Sequence, residues 1–427
     1  MGLDPCLVLA DEAGNIHYEP RLLMLCSRAG KWSLPAPGEL MPLPAESELF
    51  LLPGRRAAGF NPLTGAPEIA DAWAAAAFAA PGHTLSATPA YRTEAEAPVL
   101  PLFAYGAVGY AKGKFWICAS RVDTDPRQQF SGIRPGRLEK NAQALLEKYP
   151  HNRLVGHIIN NCVRRYACPA ARNFALGRYE APLPTSRACN ASCLGCISAQ
   201  KQDSPILVTP QCRLAFTPTV AEIVEVMRIH EQRERKRPIY SFGQGCEGDP
   251  LANAELLAES IRAFRKEGGH GTINCNTNAS RPGAVALLAE AGLTSLRVSL
   301  NSAIEELYDA YYRPLDYAFD DVRQSIREAR ARDVFVSLNL LYFPGITDRS
   351  QEIAALGDLC AELDVNMIQL RNLNIDPEWY AAQMPFEPEP ATGLADFVRK
   401  LRERCPGLRF GYFNPWLGDR AAGAAGV

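Results

Sequence analysis

Between Thr185 and Asn374 short β-rich runs alternate with amphipathic stretches of helix length, a rhythm that parallel βαβ units produce. The helical pattern over 219–235 leads into IYSFGQ, that over 251–267 into TINCNT, and that over 281–291 into SLRVSL. It continues through 318–331 into VFVSLNLLYF and through 349–363 into NMIQLRN. With one further strand ahead of Cys189 there are about six βα units, which predicts an α/β fold: a partial (β/α)6, TIM-like barrel rather than an open doubly wound sheet. Parallel connections are right-handed, and such barrels carry active sites at the C-terminal ends of their strands.

The strand faces add a second constraint. Asn274, Asn276 and Asn278 alternate with Ile273, Cys275 and Thr277, and Arg297, Ser299 and Asn301 alternate with Leu296, Val298 and Leu300. Ser337 and Asn339, then Gln369 and Arg371, continue the pattern in the next two strands. Side chains of a strand point alternately to two faces, so an apolar set packs on the helices and a polar set lines the lumen. A polar lumen is expected to be a binding chamber; exposed edge positions of an α+β sheet are the competing explanation.

Outside the barrel, residues 1–150 show short apolar runs broken by turn signals. CLVLADEAGNIHYEP and FAYGAVGYAKGKFWICASRVD read as hairpins, and IADAWAAAAFAA, stopped by Pro81 and Gly82, reads as a helix. An N-terminal α+β domain is expected over 1–150, a cysteine-containing connector over 151–184, the barrel over 185–375 and a C-terminal extension over 376–427. The extension should hold a helix around 390–404, a short strand near RFGYF and a frayed small-residue tail.

The formal net charge of −2, with Lys and Arg scattered, lacks the footprint of a general nucleic-acid binder, although a local RNA contact stays open. No run approaches the roughly 18 apolar residues of a membrane span, and the N-terminus has no basic secretory segment, so a cytoplasmic protein with no membrane partner is expected. Thirteen cysteines, an odd number, argue against a disulfide framework and for metal ligation or reactive thiols. Cys6, Cys26, Cys118, Cys360 and Cys405 read as small buried hydrophobes.

The densest chemistry is RACNASCLGCISAQ, where Cys189, Cys193 and Cys196 stand in Cys-x3-Cys-x2-Cys spacing just after a strand. Three thiolates hold three irons of a [4Fe–4S] cluster and leave the fourth open to a ligand. Structural zinc, the main competitor, prefers four ligands in paired knuckles, and that pairing is missing here.

With this loop and the segments after it, the stretch from Thr185 to Asn374 resembles the radical S-adenosylmethionine (SAM) superfamily, without pointing to a subfamily. The resemblance implies that the open iron chelates SAM and that reduction of the cluster releases methionine and a 5′-deoxyadenosyl radical, which takes a hydrogen atom from substrate. FGQGCEGDP looks like the family's glycine-rich loop, with Gly248, Asp249 and Pro250 in place of Gly-Glu-Pro near the SAM ammonium. NTNAS places Thr277 and Asn278 near the cofactor, SLNS offers Ser299 and Asn301 to the ribose, and FPGITD resembles the turn that seats the adenine. Asn339, Gln369 and Arg371 would face the same chamber. Where the family commonly has an aromatic residue before the third cysteine, this chain has Gly195.

Cys246 lies inside the SAM-facing loop, where an ordinary member carries no cysteine. It reads as a catalytic thiol that quenches a substrate radical, a covalent attachment point, a ligand to a second iron–sulfur cluster, or a plain small residue. Cys162, Cys168 and Cys212 would complete such a second cluster with it, and buried thiols are the alternative. His157 is a potential ligand or a structural histidine. Arg313 in YYRPLDY either reaches a substrate anion or caps a helix. EQRERKR reads as a solvated helix end, with RNA contact the alternative.

The expected function is that of a radical SAM enzyme acting on a polar small molecule, peptide or RNA, served by a one-electron reductant such as flavodoxin or ferredoxin. The N-terminal domain would recognise substrate or cover the barrel mouth. The rival is an iron–sulfur electron carrier or sensor without SAM chemistry, which would need none of the Gly-Asp-Pro, Thr-Asn and Ser-x-Asn segments.

Overall fold

In the computed structural model, which describes residues 3–206, 208–386 and 389–418, the expected parallel strands all form. They are β1 (Glu180–Leu183), β2 (Ile239–Phe242), β3 (Thr272–Thr277), β4 (Ser295–Leu300), β5 (Phe335–Tyr342) and β6 (Met367–Asn372). A seventh, β7 (Arg409–Gly411), joins β6 in parallel, and strand order in the sheet equals chain order. The segment expected as an extension beyond the barrel therefore supplies its last strand, preceded by the helix Leu394–Arg404. Residues 419–427, the expected frayed tail, lie outside the described residues.

The outer face of the sheet is as apolar as the alternation predicts. Ile273, Cys275, Leu296, Val298, Val336, Leu338, Leu340, Ile368 and Leu370 are all fully buried. They pack in one core with the helices Val220–Arg233, Ala254–Lys266, Pro282–Ala291, Phe319–Arg330 and Ser350–Glu362. Truncating any one of these leucines to alanine would cost about 2–5 kcal/mol, because a sheet covered by helices cannot collapse onto the void.

On the inner face, part of the polar set expected to line a binding chamber is instead tied up in mutual hydrogen bonds. Asn414, just past β7, donates to Glu180 Oε1 (2.8 Å) and to Ser241 Oγ (3.3 Å), and its own Oδ1 accepts from Gln369 (3.1 Å). Asn274 donates to Ser241 Oγ (3.3 Å), Gln369 to Ser337 Oγ (3.3 Å) and Arg297 to Gln369 Oε1 (3.3 Å). These polar side chains join one another across the lumen and make a hydrogen-bonded floor. Asn414 bridges β7 and β1, the two edges that the sheet leaves unpaired.

Residues 6–121 form β structure throughout: a nine-stranded antiparallel sheet with a small three-stranded one beside it. Both expected hairpins are present, Cys6–Ala10 with Ile16–Met24 and Val108–Ala111 with Lys114–Arg121. The expected helix in IADAWAAAAFAA is instead part of the strand Ala66–Phe78, paired with Glu48–Asn61. Ala74 and Ala76 enter one core with Leu7, Leu22 and Leu52, while Ala75 and Ala77 enter another with Val8, Leu85 and Ile117. A strand buried on both faces needs small residues at successive positions, and that demand overrides alanine's helical preference.

This β region docks beside the end of β6. Thr84 Oγ1 donates to Leu370 O (2.8 Å), and the Asn372 side chain links Leu85 N (2.8 Å) and His83 O (3.0 Å). Arg55 pairs with Asp376 at 2.8 Å, both fully buried. The connector is helical. Arg153–His157 runs into a π-helical stretch, Ile158–Arg165, followed by Pro169–Leu176, and the three pack on β1 and the Val220–Arg233 helix.

Candidate active site

The cysteine loop leaves β1 and is at once stitched to the loop after β2. Thr185 N and Ser186 N donate to Glu247 Oε2 (2.7 and 2.8 Å), while Gly243 N and Gln244 N donate to its Oε1 (2.7 and 2.8 Å). In return Gly248 N donates to Ser186 O and Asp249 N to Ala188 O, each at 2.8 Å. A Cβ on Gly248 would stand 1.9 Å from Ala188 O, so only glycine permits this approach. Burial pushes Glu247 up to about 7, against the four backbone N–H groups that favour its charge. Glu247 is the acid that the sequence reading missed. It stands two residues before Asp249, and nothing in the local pattern separates them.

Asp249 and Thr277 come together. Thr277 Oγ1 donates to both Asp249 oxygens (2.8 and 2.9 Å), and Asn278 N and Leu251 N donate to them as well (2.7 and 3.0 Å). The pair braces the end of β2 against the end of β3, with Pro250 opening the short turn Pro250–Asn253. Desolvation raises the Asp249 carboxyl above its ordinary value. Asn278 donates to Asn190 Oδ1 (2.9 Å), and Asn190 donates in turn to Asp316 Oδ1 (2.6 Å).

The other side of the cysteine loop rests on YYRPLDY. Ser192 N donates to Tyr312 O (3.0 Å), Leu194 N to Tyr311 O (2.9 Å), and Leu315 N to Asn190 O (3.0 Å). This strap is a second feature missed in sequence, because its contacts run through backbone groups that any residue supplies. Arg313 ends the Glu305–Tyr312 helix with a positive φ of 48° and donates to Gln383 Oε1 (3.2 Å). It lines a cavity of about 180 Å³ beside Cys193 and Leu194. At Gly195 the Tyr311 hydroxyl lies 2.7 Å from the place a Cβ would take, and Tyr311 belongs to an aromatic group with Tyr308, Tyr312 and Tyr380.

The three cysteines fit a cluster of irons. Burial raises the Cys189 thiol to about 11 and Cys193 well above its ordinary value, and the neighbouring cysteine sulfurs add to both shifts. Thiolates so placed repel one another and lack water, and a multi-iron cluster supplies the positive charge that makes the set favourable. Arg213 directs a guanidinium N–H at Cys196 Sγ (3.8 Å).

Above the lumen floor, Ser299 and Asn339 stand directly across from each other in the β4–β5 register. Asn339 Oδ1 and Asn301 Oδ1 are sealed from water without a hydrogen-bond partner, while Asn301 Nδ2 donates to Leu307 O (3.0 Å). Buried orphan acceptors are uncommon, and the hydroxyl and amino groups of a nucleoside would satisfy them. Gln369 is engaged in the floor. Arg371 donates to Tyr412 O (3.1 Å) with its guanidinium 3.9 Å over the Tyr412 ring. The FPGITD turn is closed by Gly345 N donating to Asp348 Oδ1 (2.7 Å), and Ser302 and Ala303, after β4, are held by Glu352 (2.5 and 2.8 Å).

Cys246 turns towards the connector, its sulfur 3.6 Å from that of Cys162 and both buried. The Cys162 thiol is drawn down to about 5, first by its hydrogen bond with Cys246 and then, against burial, by His157. Among the described residues, His157, Cys162 and Cys246 form the one set of three whose ligand atoms lie within 4.8 Å of one another. Cys168 and Cys212 are outside that set, Cys212 exposed and accepting a hydrogen bond from the Tyr166 hydroxyl (2.8 Å). EQRERKR is only partly solvated, since Arg233 donates to Phe174 O and Ala175 O at the end of the neighbouring helix.

A partial barrel whose first strand delivers three clustered thiols, clamped by the loops after its second and third strands, defines an iron–sulfur barrel protein. Residues 183–357 match the family model of the radical SAM superfamily, and that region of the chain is a radical SAM domain; members of the superfamily are enzymes whose cofactors are a [4Fe–4S] cluster and SAM. Among curated proteins none matches. Similar solved structures include native anSMEcpe with bound AdoMet, at 15% identity, 46% of this chain and 52% of that one, with a TM-score of 0.36. A radical SAM methyltransferase from Sphaerobacter thermophilus has 17% identity, 55% and 67% coverage and a TM-score of 0.40. Methylornithine synthase has 14% identity, 64% and 77% coverage and a TM-score of 0.37. This chain spans about half the length of the first of them, and likenesses this distant leave the reaction to the chemistry of the site.

Proposed function

We propose that this chain cleaves SAM reductively and uses the resulting radical to take a hydrogen atom from a polar substrate. The observation that carries the reading is the joining of the cysteine loop to Gly248, Asp249 and Asn278, together with the unpartnered acceptors of Asn301 and Asn339. Bound at Cys189, Cys193 and Cys196, the cluster supplies the electron that splits the sulfonium of SAM into methionine and a 5′-deoxyadenosyl radical. The chain's own residues position and enclose. Glu247 and the Asp249–Thr277 brace fix the strand-end loops, Ser299, Asn301 and Asn339 offer polar contacts to the nucleoside, and the Asn414 floor closes the lower lumen to water. An electron carrier would use none of the polar groups above the floor.

The N-terminal β region, seated beside β6, would cover the barrel mouth and help choose the substrate, and flavodoxin or ferredoxin is the class of reductant that suits the cluster. The cytoplasm, where thiols stay reduced, suits thirteen cysteines all present as free thiols; no described helix is long and apolar enough to cross a membrane. The test is anaerobic reconstitution with iron and sulfide, then incubation with SAM and dithionite. Methionine and 5′-deoxyadenosine should appear together, and the absence of both would overturn the reading.

A further inference from the structure

We infer that His157, Cys162 and Cys246 form a binding site for a single zinc ion, separate from the cysteine loop. An imidazole nitrogen and two sulfurs, from two distant parts of the chain, lie within 4.8 Å of one another, a spacing that one ion bridges. Three protein ligands of the Cys2His type leave the fourth tetrahedral position to water or an outside ligand.

The backbone carries independent support. His157 and Cys162 are five residues apart, and in an α-helix of 3.6 residues per turn their side chains would diverge by about 140°. The stretch Ile158–Arg165 is π-helical, with hydrogen bonds spanning five residues, and this wider turn brings the two side chains to one face. Such π segments are rare and concentrate at functional sites. His157 Nε2 is sealed from water with no hydrogen-bond partner, a buried nitrogen left for a ligand to satisfy. Asn161 Nδ2 points at Cys162 Sγ (3.8 Å), the kind of outer contact that steadies a metal thiolate.

The charges balance. Zinc entering as a dication displaces whatever protons the two thiols still carry, and these go to solvent; two thiolates and a neutral imidazole then leave the zinc-bound site neutral. The ion would rivet Cys246, and with it the loop that holds Glu247 and Gly248, to the helical connector.

The experiment uses the full-length chain with Cys189, Cys193 and Cys196 all changed to alanine, so that iron from the cysteine loop does not enter the count. Metal analysis should give about one zinc per chain, reduced to background by adding Cys162→Ser or Cys246→Ser. Because those changes can also disturb folding, zinc is also added to the metal-stripped triple variant. It should raise the melting temperature and release protons as it binds, and with His157→Gln the proton release and the temperature rise should both shrink. Absence of zinc with no rise in melting temperature overturns the inference. Iron and sulfide retained in the triple variant and lost with Cys162→Ser also overturn it, in favour of a second cluster. Neither result bears on SAM cleavage, which is read separately from methionine and 5′-deoxyadenosine.

Discussion

The hydroxyl of Tyr311 lies 2.7 Å from the point a Cβ on Gly195 would occupy, so a tyrosine from the Glu305–Tyr312 helix fills the space beside the third cluster cysteine. The ring has entered from another element, and glycine at 195 is the condition for its presence. Gly195→Phe forces two aromatic side chains into one volume and should destabilise the chain by about 1–3 kcal/mol, with loss of bound iron. Adding Tyr311→Ala should recover part of both. Thermal melting and iron content of the single and double variants check this.

Thr277 and Asp249 brace two strand ends through one hydroxyl. Thr277→Val keeps the shape and removes the donor, leaving Asp249 with its two backbone partners, and should cost about 1–2 kcal/mol. Gly248→Ala should be worse, because the clash is with backbone at Ala188 rather than with a movable side chain. Urea unfolding measures the first effect; iron retention after reconstitution measures the second.

Glu352, buried beneath Ser302 and Ala303, is raised to about 7 by desolvation, from an ordinary value of 4.5. Between these values the folded chain holds a proton that the unfolded chain releases, so stability falls as pH rises, by roughly 1.4 kcal/mol per pH unit for this group. Glu247, also raised to about 7 by burial, adds an equal slope in the same window. Glu352→Gln should halve the joint slope between pH 4.5 and 7, as read from unfolding free energies across that range. An unchanged slope would show that Glu352 is charged in the folded state.

Arg55 and Asp376 join the β region to the barrel as a fully buried ion pair, and Asp376 also accepts from Leu100 N (2.8 Å) and caps the Pro377–Gln383 helix. Arg55→Met leaves that carboxylate without its counter-charge and should cost about 3–5 kcal/mol. Limited proteolysis should then cut between the β region and the barrel sooner than in the wild-type chain.

The barrel was legible because its signals are local and periodic. The polar and apolar faces of TINCNT, SLRVSL and VFVSLNLL alternate within each strand, and the spacing of Cys189, Cys193 and Cys196 needs no partner to be read. The alanine strand was not legible, since alanine's preference for helix is local while the need for small side chains at Ala74–Ala77 comes from two cores that meet only in the fold. The role of Asn414 was hidden for the same reason: it lies 234 positions from Glu180, and only the return of β7 to the sheet brings them together.

The amino-acid sequence by itself determined the parallel α/β architecture and the three-thiol loop, because strand periodicity and ligand spacing are written within short stretches of chain. Tertiary structure alone decided that Glu247 clamps the loop, that Tyr311 fills the space beside Gly195, and that Cys246 meets Cys162 and His157. Each of these depends on distances between segments far apart in sequence, and such distances exist only once the chain has packed.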